Sequence, residues 1–405
     1  MAARESSDRY IGIAESVDEK ELLGLCRELI RIPSVFKEEE RIARFIAARL
    51  DKWGLSPELV PVDGYGPCVV ARIGPEKQPA VVLNGHMDTV EVKAGWKHDP
   101  FGAKVEKGML YGLGSLDMKC GLASLMLAFR TIAESDLKLN RSVVFQAVSG
   151  EEDNSAGTRT LISAGKFRDA KAVIVGEGIG SLDVVTIGRR GGSYYDIWVS
   201  GRSAHGSTPR LGVSAISDAA KIVTALDKMG MRSARGVMAD NTTPLRESQL
   251  VLGISGNSAS YSVPEKCYIR MMRATVPGKP YDISRQIEST IKRLRLKSRV
   301  NVRLKVGNGD PYLPHMTPTD SELVRVTSKW NEHYTGKRPL LVCGLSEADD
   351  NSIARYVKVP VVCVGPGEKG ALARYHQPEE AISISHLGPG VRIHCSSVLE
   401  LARAR

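Results

Sequence analysis

Apolar positions recur at helical spacing in "DEKELLGLCRELIRI" (18–32), where Leu22, Leu25, Leu29 and Ile30 fall on one face. "RIARFIAARLDKWG" (41–54) repeats the pattern and stops at a glycine. "CVVARIG" and "AVVLNG" are short, β-rich runs bounded by turn residues. A helix is expected over 121–135, a strand over 142–148, a helix over 157–165 and a strand over 170–176. Strands alternating with helices predict an α/β sheet with parallel strands. The rhythm changes after about residue 187. "GGSYYDIWVSG" alternates like a half-exposed strand, and the elements after it read β-α-β-β-α-β up to "RVNVRLKV", a two-layer sandwich with antiparallel strands. Alternating helices and strands then resume, and the last helix spans 385–404. The expected organisation is an α/β domain of residues 1–187 and 308–405, split by an inserted domain of residues 188–307.

A chain of 405 residues is long enough for two domains, and 42% hydrophobic and 25% charged content are ordinary for a globular protein. Runs such as "AVVLNG" are far too short to span a bilayer, so no membrane partner is expected. "MAARESSDRY" has no apolar signal region, and the seven cysteines are scattered without a CxxC pair. Both features lead us to expect a reducing, cytoplasmic setting. The net charge of +10 concentrates in "RQIESTIKRLRLKSRVNVRLK" (285–305). That segment has no interleaved aromatics, so it reads as the basic outer face of a helix and the next strand, and no nucleic-acid partner is expected.

The chemistry lies at the carboxyl ends of the first-domain strands, where parallel α/β sheets gather their ligand sites. "VVLNGHMDTV" ends in His86 with Asp88 two residues on; "GLGSLDMK" places Asp117 before a helix; "FQAVSGEED" carries Glu151 and Glu152; "VIVGEG" carries Glu177. Any one of these has an ordinary structural reading, a satisfied histidine or a solvated turn. Together they form a cluster of carboxylates and an imidazole that repels itself unless cations neutralise it. Nitrogen and oxygen donors without thiolates suit Zn²⁺, with Mn²⁺ or Co²⁺ as substitutes. Asp88 is placed to hold the second ring nitrogen of His86 or to brace the site.

The segments "GHMDTV", "LYGLGSLDMKCGLAS", "SGEED…GT", "VGEG", "GRSAHGSTPRLGVSAI" and "YHQPEEAI", in that order, resemble the M20 family of zinc amidohydrolases and peptidases. That family includes acetylornithine deacetylase, succinyl-diaminopimelate desuccinylase, aminoacylase, carboxypeptidases and dipeptidases. The resemblance implies a zinc-peptidase-like mixed-sheet catalytic domain with an inserted lid that dimerises. It implies two Zn²⁺ per subunit, with Asp117 bridging, His86 and Glu177 completing one site, and Glu152 and His376 completing the other. It further implies Glu151 as general base, Asp88 as buttress and a cis peptide after Asp117. His205, from the partner subunit's lid, would stabilise the oxyanion of a homodimeric enzyme.

Departures from the family pattern blur the substrate. Cys120 stands where glycine is usual. Tyr261 occupies a substrate-contacting position where asparagine is common. "YIRMMRATVPG" offers Arg270 and Arg273 without the usual aspartate, and Arg273 is the better placed to grip a substrate carboxylate, its alternative being a solvent-facing strand arginine. The loop "GPGEKG" makes Gly367 a candidate pocket residue, although its glycines equally serve positive φ. Asp349, Asp350 and the histidines 98, 315, 333, 386 and 394 read as structural. The expected activity is deacylation of an N-acyl amino acid. The alternatives are a carboxypeptidase or dipeptidase of the same family, and a catalytically silent relative that acts through its basic surface.

Overall fold

The computed structural model describes residues 2–403 apart from 77, 240–242, 259, 280–281, 306–310 and 371–372. It resolves the chain into two compact units, Met1–Gly188 with Met316–Gly344 and Ala348–Arg405, and Arg189–His315 with Leu345–Glu347. The expected return at 307–308 lies outside the described residues. The first unit resumes at Met316, and the three residues Leu345–Glu347, expected in the first domain, belong to the second.

The first unit is built on a nine-stranded mixed sheet. Seven of its strands run in the order Glu58–Val60, Cys68–Ile73, Ser142–Val148, Ala80–His86, Ala170–Val175, Val361–Cys363, Val184–Arg189. The four strands from Ser142–Val148 to Val361–Cys363 are parallel, and the pairs flanking them are antiparallel. Every residue of Ala80–His86 and of Ser142–Val148 is buried. That is why these stretches read as continuous apolar runs: both faces are covered. On one face, Leu83 and Phe145 join Leu22, Leu25, Leu29 and Phe129 of the helices Glu19–Ile30 and Cys120–Ala133. On the other, Val82, Val144 and Val173 meet Leu161 and Ile353.

The register of the central strands decides which loops become neighbours. His86 stands opposite Val148, so the two strands run out side by side and the residues beyond them share one edge of the sheet.

The second unit has a four-stranded antiparallel sheet in the order Ser248–Ser255, Lys266–Thr275, Gly191–Ser200, Arg299–Lys305. One face is covered by the helices Ala215–Asp227 and Ile283–Arg293 through Ile222, Leu226, Ile287 and Ile291 against Tyr195, Ile197, Ile269 and Met271. This is the β-α-β-β-α-β order expected from the pattern. Ile283–Arg293 buries Ile287, Thr290 and Ile291 and exposes Arg285, Lys292 and Arg293, so the basic run is an outer face.

Three elements escaped the pattern: the helix Ala2–Glu15, the pair Ser233–Met238 and Pro244–Arg246, and the small sheet Ala381–Ser383, Met109–Tyr111, Lys104–Glu106. The first helix is polar along most of its length and docks through Tyr10, edge-on to Trp330. The strands of the small sheet are three residues long, too short to show a period. Among the described residues no helix is long and apolar enough to cross a membrane.

His394, on the helix Leu387–Leu401, illustrates how this core handles a buried polar group. It is fully buried, with Nε2 2.6 Å from the Val364 carbonyl and Nδ1 2.7 Å from Ser124 Oγ. Nε2 therefore donates and Nδ1 accepts the hydroxyl proton, which fixes a neutral ring. Burial pushes its pKa down to about 4 from 6.5. A depressed histidine pKa supplies stability that is complete above the unfolded value and fades as pH falls through the folded one. We therefore expect up to about 3 kcal/mol of folding stability to be lost between pH 6.5 and 4 through this residue. Denaturant unfolding of His394→Gln across that interval is expected to show a shallower fall with acid than the parent.

Candidate metal centre

His86 closes the strand Ala80–His86, and the chain then turns inward. Its Nδ1 lies 3.0 Å from the Asp88 carbonyl and 3.6 Å from Asp88 Oδ1, while Nε2 lies 3.0 Å from Asp117 Oδ1. Asp117 sits in a short π-helical turn, Ser115–Lys119, with the expected cis peptide between Asp117 and Met118. Its other oxygen, Oδ2, is 3.2 Å from His376 Nε2, and the same imidazole nitrogen is 3.0 Å from Glu152 Oε2. Two imidazoles and two carboxylates thus meet at one point. One ligand atom each from His86, Asp117 and Glu152 lies within 4.8 Å of the others.

The adjacent glutamates owe their placing to a glycine. After Val148 the strand ends, Gly150 adopts φ 65°, and a one-turn helix Glu151–Asn154 begins. A Cβ on Gly150 would lie 2.7 Å from the Tyr65 ring, so both the left-handed backbone and the close approach require glycine. Asp88 Oδ2 accepts the Glu152 amide at 2.9 Å and steadies this turn. Asp153 faces outward, 2.6 Å from the Tyr65 hydroxyl and 3.1 Å from Lys37 Nζ. Of the three consecutive acids, only Asp153 keeps the ordinary role of a solvated charge.

The electrostatics are those of a crowded anionic site. Burial pushes Glu152 up to about 7, with the Asp117 charge adding to the effect. Glu151 is raised well above the usual carboxylate range by burial, with Asp349, Glu152 and Glu177 reinforcing it. Burial raises Asp88 as well. For Asp117 burial also acts upward, but hydrogen bonds from His376 and His86 outweigh it and hold the group below the ordinary range. His376 is raised to about 10 by its hydrogen bonds to Asp117 and Glu152. Burial thus favours the protonated form of these acids, as crowded carboxyl groups require in the absence of a compensating positive charge. The orphaned Asp88 Oδ1, buried without a hydrogen-bond partner, belongs to the same picture. Nitrogen and oxygen donors, with the second nitrogen of His86 anchored by Asp88, fit divalent metal.

Several supporting residues gave no signal in the sequence. Glu39, fully buried, accepts the amides of Gly150 at 3.1 Å, Gly66 at 2.9 Å and Lys37 at 3.0 Å. It anchors the glutamate turn, yet its neighbours Glu38 and Glu40 are exposed and nothing in "KEEE" distinguishes them. Lys119 is fully buried, donates to the Ile32 carbonyl at 2.8 Å, and is pushed down to about 7 by burial. Glu380, four residues past His376, accepts three amides of the Asp117 turn and is pushed up to about 8 by burial. It lies inside "YHQPEEAI", where the motif itself marks only the histidine. Asp349, as expected, is structural: Ser155 and Thr158 hydrogen-bond to it, and burial raises it to about 6.

Other expected site residues are placed differently. Glu177 is buried in the turn after Ala170–Val175, and its charge is among those that act on Glu151. Gly367 is buried, and a Cβ there would lie 2.2 Å from the Gly180 carbonyl. Gly365 meets Gly176 in the same way, at 2.1 Å. These glycines let two backbones touch beside Glu177, and positive φ does not explain them.

In the second unit, Arg273 is fully buried, 2.8 Å from Glu247 and 3.1 Å from Gln249. The expectation of a substrate-facing guanidinium gives way here to a buried ion pair inside the unit. It lies on the helix-covered face, in phase with Met271, and alternation along the strand leaves Arg270 on the open face, paired with Asp196. Tyr261 is 73% exposed and stands edge-on to His205 with ring centroids 5.6 Å apart. His205 Nδ1 accepts the Ser207 amide at 3.3 Å, which leaves Nε2 as the protonated nitrogen. Cys120 is a fully buried thiol at the start of its helix.

Similarity to known proteins agrees with this geometry. A curated relative from Staphylococcus aureus, a probable succinyl-diaminopimelate desuccinylase, is 28% identical over 49% of this chain and 49% of its own length. The chain therefore spans about half the length of that relative. A succinyl-diaminopimelate desuccinylase from Hydrogenovibrio crunogenus is 26% identical over 94% of this chain and 99% of its own. Among solved structures, the aminopeptidase PepT from Bacillus cereus superposes with a TM-score of 0.75 at 20% identity, covering 95% of this chain and 99% of that one. An M20 family metallo-carboxypeptidase from Sulfolobus solfataricus gives 0.75 at 18%, covering 94% and 99%. These two likenesses establish the fold. The model of peptidase family M20/M25/M40 matches residues 82–400, which include every ligand candidate from His86 to His376, and the chain belongs to that family.

Proposed function

We propose that this protein is a dinuclear metallohydrolase that removes the acyl group of an N-acyl amino acid by cleaving its amide bond. The observation that carries the reading is the convergence of His86, Asp117 and Glu152 within 4.8 Å, with His376 hydrogen-bonded to both acids. Asp117, reached by an imidazole on each oxygen, would bridge two ions. His86 and Glu177 would complete one site, Glu152 and His376 the other. Zn²⁺ is the natural occupant of such donors, with Co²⁺ or Mn²⁺ as substitutes. When bound, the metal pair supplies Lewis acidity to the scissile carbonyl and makes water nucleophilic at neutral pH.

The residues then divide the work. Asp88 holds His86 in one orientation through its carbonyl and steadies the Glu152 amide. Glu151 takes the proton of the attacking water; as the C–N bond breaks, it delivers that proton to the leaving nitrogen. His205, protonated at Nε2 and exposed, is a donor for the oxyanion, supplied to the partner subunit's site. The strand Ser248–Ser255 supports a homodimer: Leu250, Leu252 and Ile254 are 60%, 48% and 51% exposed on a strand that is the sheet's edge among the described residues. The names of the curated relatives support an acyl-amine substrate. We place the enzyme in the cytoplasm.

Two measurements test this reading. Purified protein is expected to hold about two transition-metal ions per subunit and to hydrolyse an N-acetyl or N-succinyl amino acid in a panel that includes dipeptides. Less than one ion, with no hydrolysis restored by Zn²⁺, Mn²⁺ or Co²⁺, would overturn it; turnover of dipeptides alone would make it a peptidase. Glu151→Gln is expected to keep its metal and lose kcat by roughly 10²–10⁴-fold. Glu152→Gln is expected to weaken metal binding by more than the roughly 10–100-fold that loss of an outer partner brings. Metal retention and full activity in both variants would refute the division of roles.

A further inference from the structure

His376 and Asp117 are 259 positions apart in the chain yet 3.2 Å apart in space. Something must fix one segment against the other. The residues after His376 show how. Glu379 and Glu380 are adjacent and point to opposite sides. Glu379 lies near the surface and accepts the amides of Lys97 at 2.7 Å and His98 at 3.0 Å, with His98 Nδ1 at 2.7 Å. His98 in turn stacks on Tyr111 with ring centroids 4.4 Å apart. Glu380 turns inward and is 1% exposed. Its Oε1 accepts the amides of Leu116 at 2.7 Å and Asp117 at 3.0 Å, and its Oε2 that of Gly114 at 3.1 Å.

Three converging amides are an unusual demand on one turn. They force Gly114, Leu116 and Asp117 to aim their N–H groups at a single carboxylate, and so orient the peptide planes on which the Asp117 side chain stands. Backbone amides are rigid donors with a narrow angular range. Shifting the carboxylate therefore shifts the turn. Meanwhile His376 and Glu379 both hold positive φ, 58° and 63°, which L-residues adopt only where their surroundings compel it. Glu379 fixes this segment on its outer side and Glu380 on its inner side. A side chain needed only to fill space here would need no acceptors, and one with a single acceptor would not engage Gly114 as well as Leu116 and Asp117.

We propose that Glu380 is a positioning residue for the metal pair: through three backbone amides it sets the direction in which Asp117 presents its carboxylate to His86 and His376. The inference rests on the dinuclear reading above. It makes metal affinity, beyond fold stability, depend on a residue that contacts no metal. A glutamine at this position would retain one acceptor oxygen for Leu116 and Asp117 but set an NH₂ group against the Gly114 amide, donor facing donor.

The test uses the full chain. Metal-free wild type and Glu380→Gln are titrated with Co²⁺ against a competing chelator, and the visible spectrum of the bound ion is recorded. Thermal unfolding of the metal-free proteins is followed in parallel. The expected result is a roughly 10–100-fold loss of Co²⁺ affinity with an altered spectrum, the scale on which outer partners of ligands act. At saturating metal kcat is expected to recover in large part. Unchanged affinity and an unchanged spectrum, even with a lowered Tm, would overturn the proposal and leave Glu380 a stabilising residue only. If Glu380→Gln does not fold, Glu380→Asp, which keeps the charge and shortens the reach, is read the same way. Failure of the wild type itself to bind Co²⁺ would instead bring down the dinuclear reading, and this inference with it.

Discussion

The structure depends on one constraint: eight carboxyl groups, those of Glu39, Asp88, Asp117, Glu151, Glu152, Glu177, Asp349 and Glu380, are gathered behind the carboxyl edge of one sheet. Isolated buried carboxylates are costly, and such groups persist only with partners. The fold supplies two kinds. Imidazoles meet Asp117 on both oxygens. Backbone amides converge on Asp88, Glu39 and Glu380. At Glu151, Glu152 and Asp349 burial favours the protonated form. A cation at this site would compete with protons for these groups.

The need to hold so many acids explains the local backbone. The turns at Gly114 and Gly150, both left-handed, present amides where a regular strand end would present carbonyls. The glycines at 176, 178, 365 and 367 let two loops touch through their backbones, which keeps the Glu177 turn from spreading. The second unit shows a different solution to buried charge. Arg273 and Glu247 pair with each other inside it. Buried charge therefore does not by itself mark a site; at the sheet edge the mark is an excess of one sign.

How much of this was legible in the sequence depends on the length of each signal. The strands Ala80–His86, Ser142–Val148 and Ala170–Val175 were readable because both faces are buried and the runs are unbroken. Their shared register then implied that residues beyond His86 and Val148 would be neighbours. Glu151 and Glu152 were readable only together with His86, Asp117 and Glu177, since an acidic strand end alone has an ordinary reading as a solvated turn. Glu39 was not, because burial alone separates it from Glu38 and Glu40, and burial is a tertiary property. Arg273 was misjudged for a related reason: strand alternation says which residues share a face, but only the packed helices say which face is covered. The close backbone contact between Gly180 and Gly367 left no trace in the pattern, since a glycine needed for proximity and one needed for φ are the same letter.

The small sheet Ala381–Ser383, Met109–Tyr111, Lys104–Glu106 gives the site a history as well as a shape. It is the seam where a late part of the chain is stitched beside an early one, next to the candidate ligands His376 and Asp117. During synthesis the inserted unit, residues 189–315, has all its strands before His376 exists. That unit is free to fold first, as domains do when they emerge from the ribosome. The candidate site has no such freedom, for His376 arrives only with the seam. Any cation held jointly by Asp117 and His376 would therefore need both sides of the seam in place.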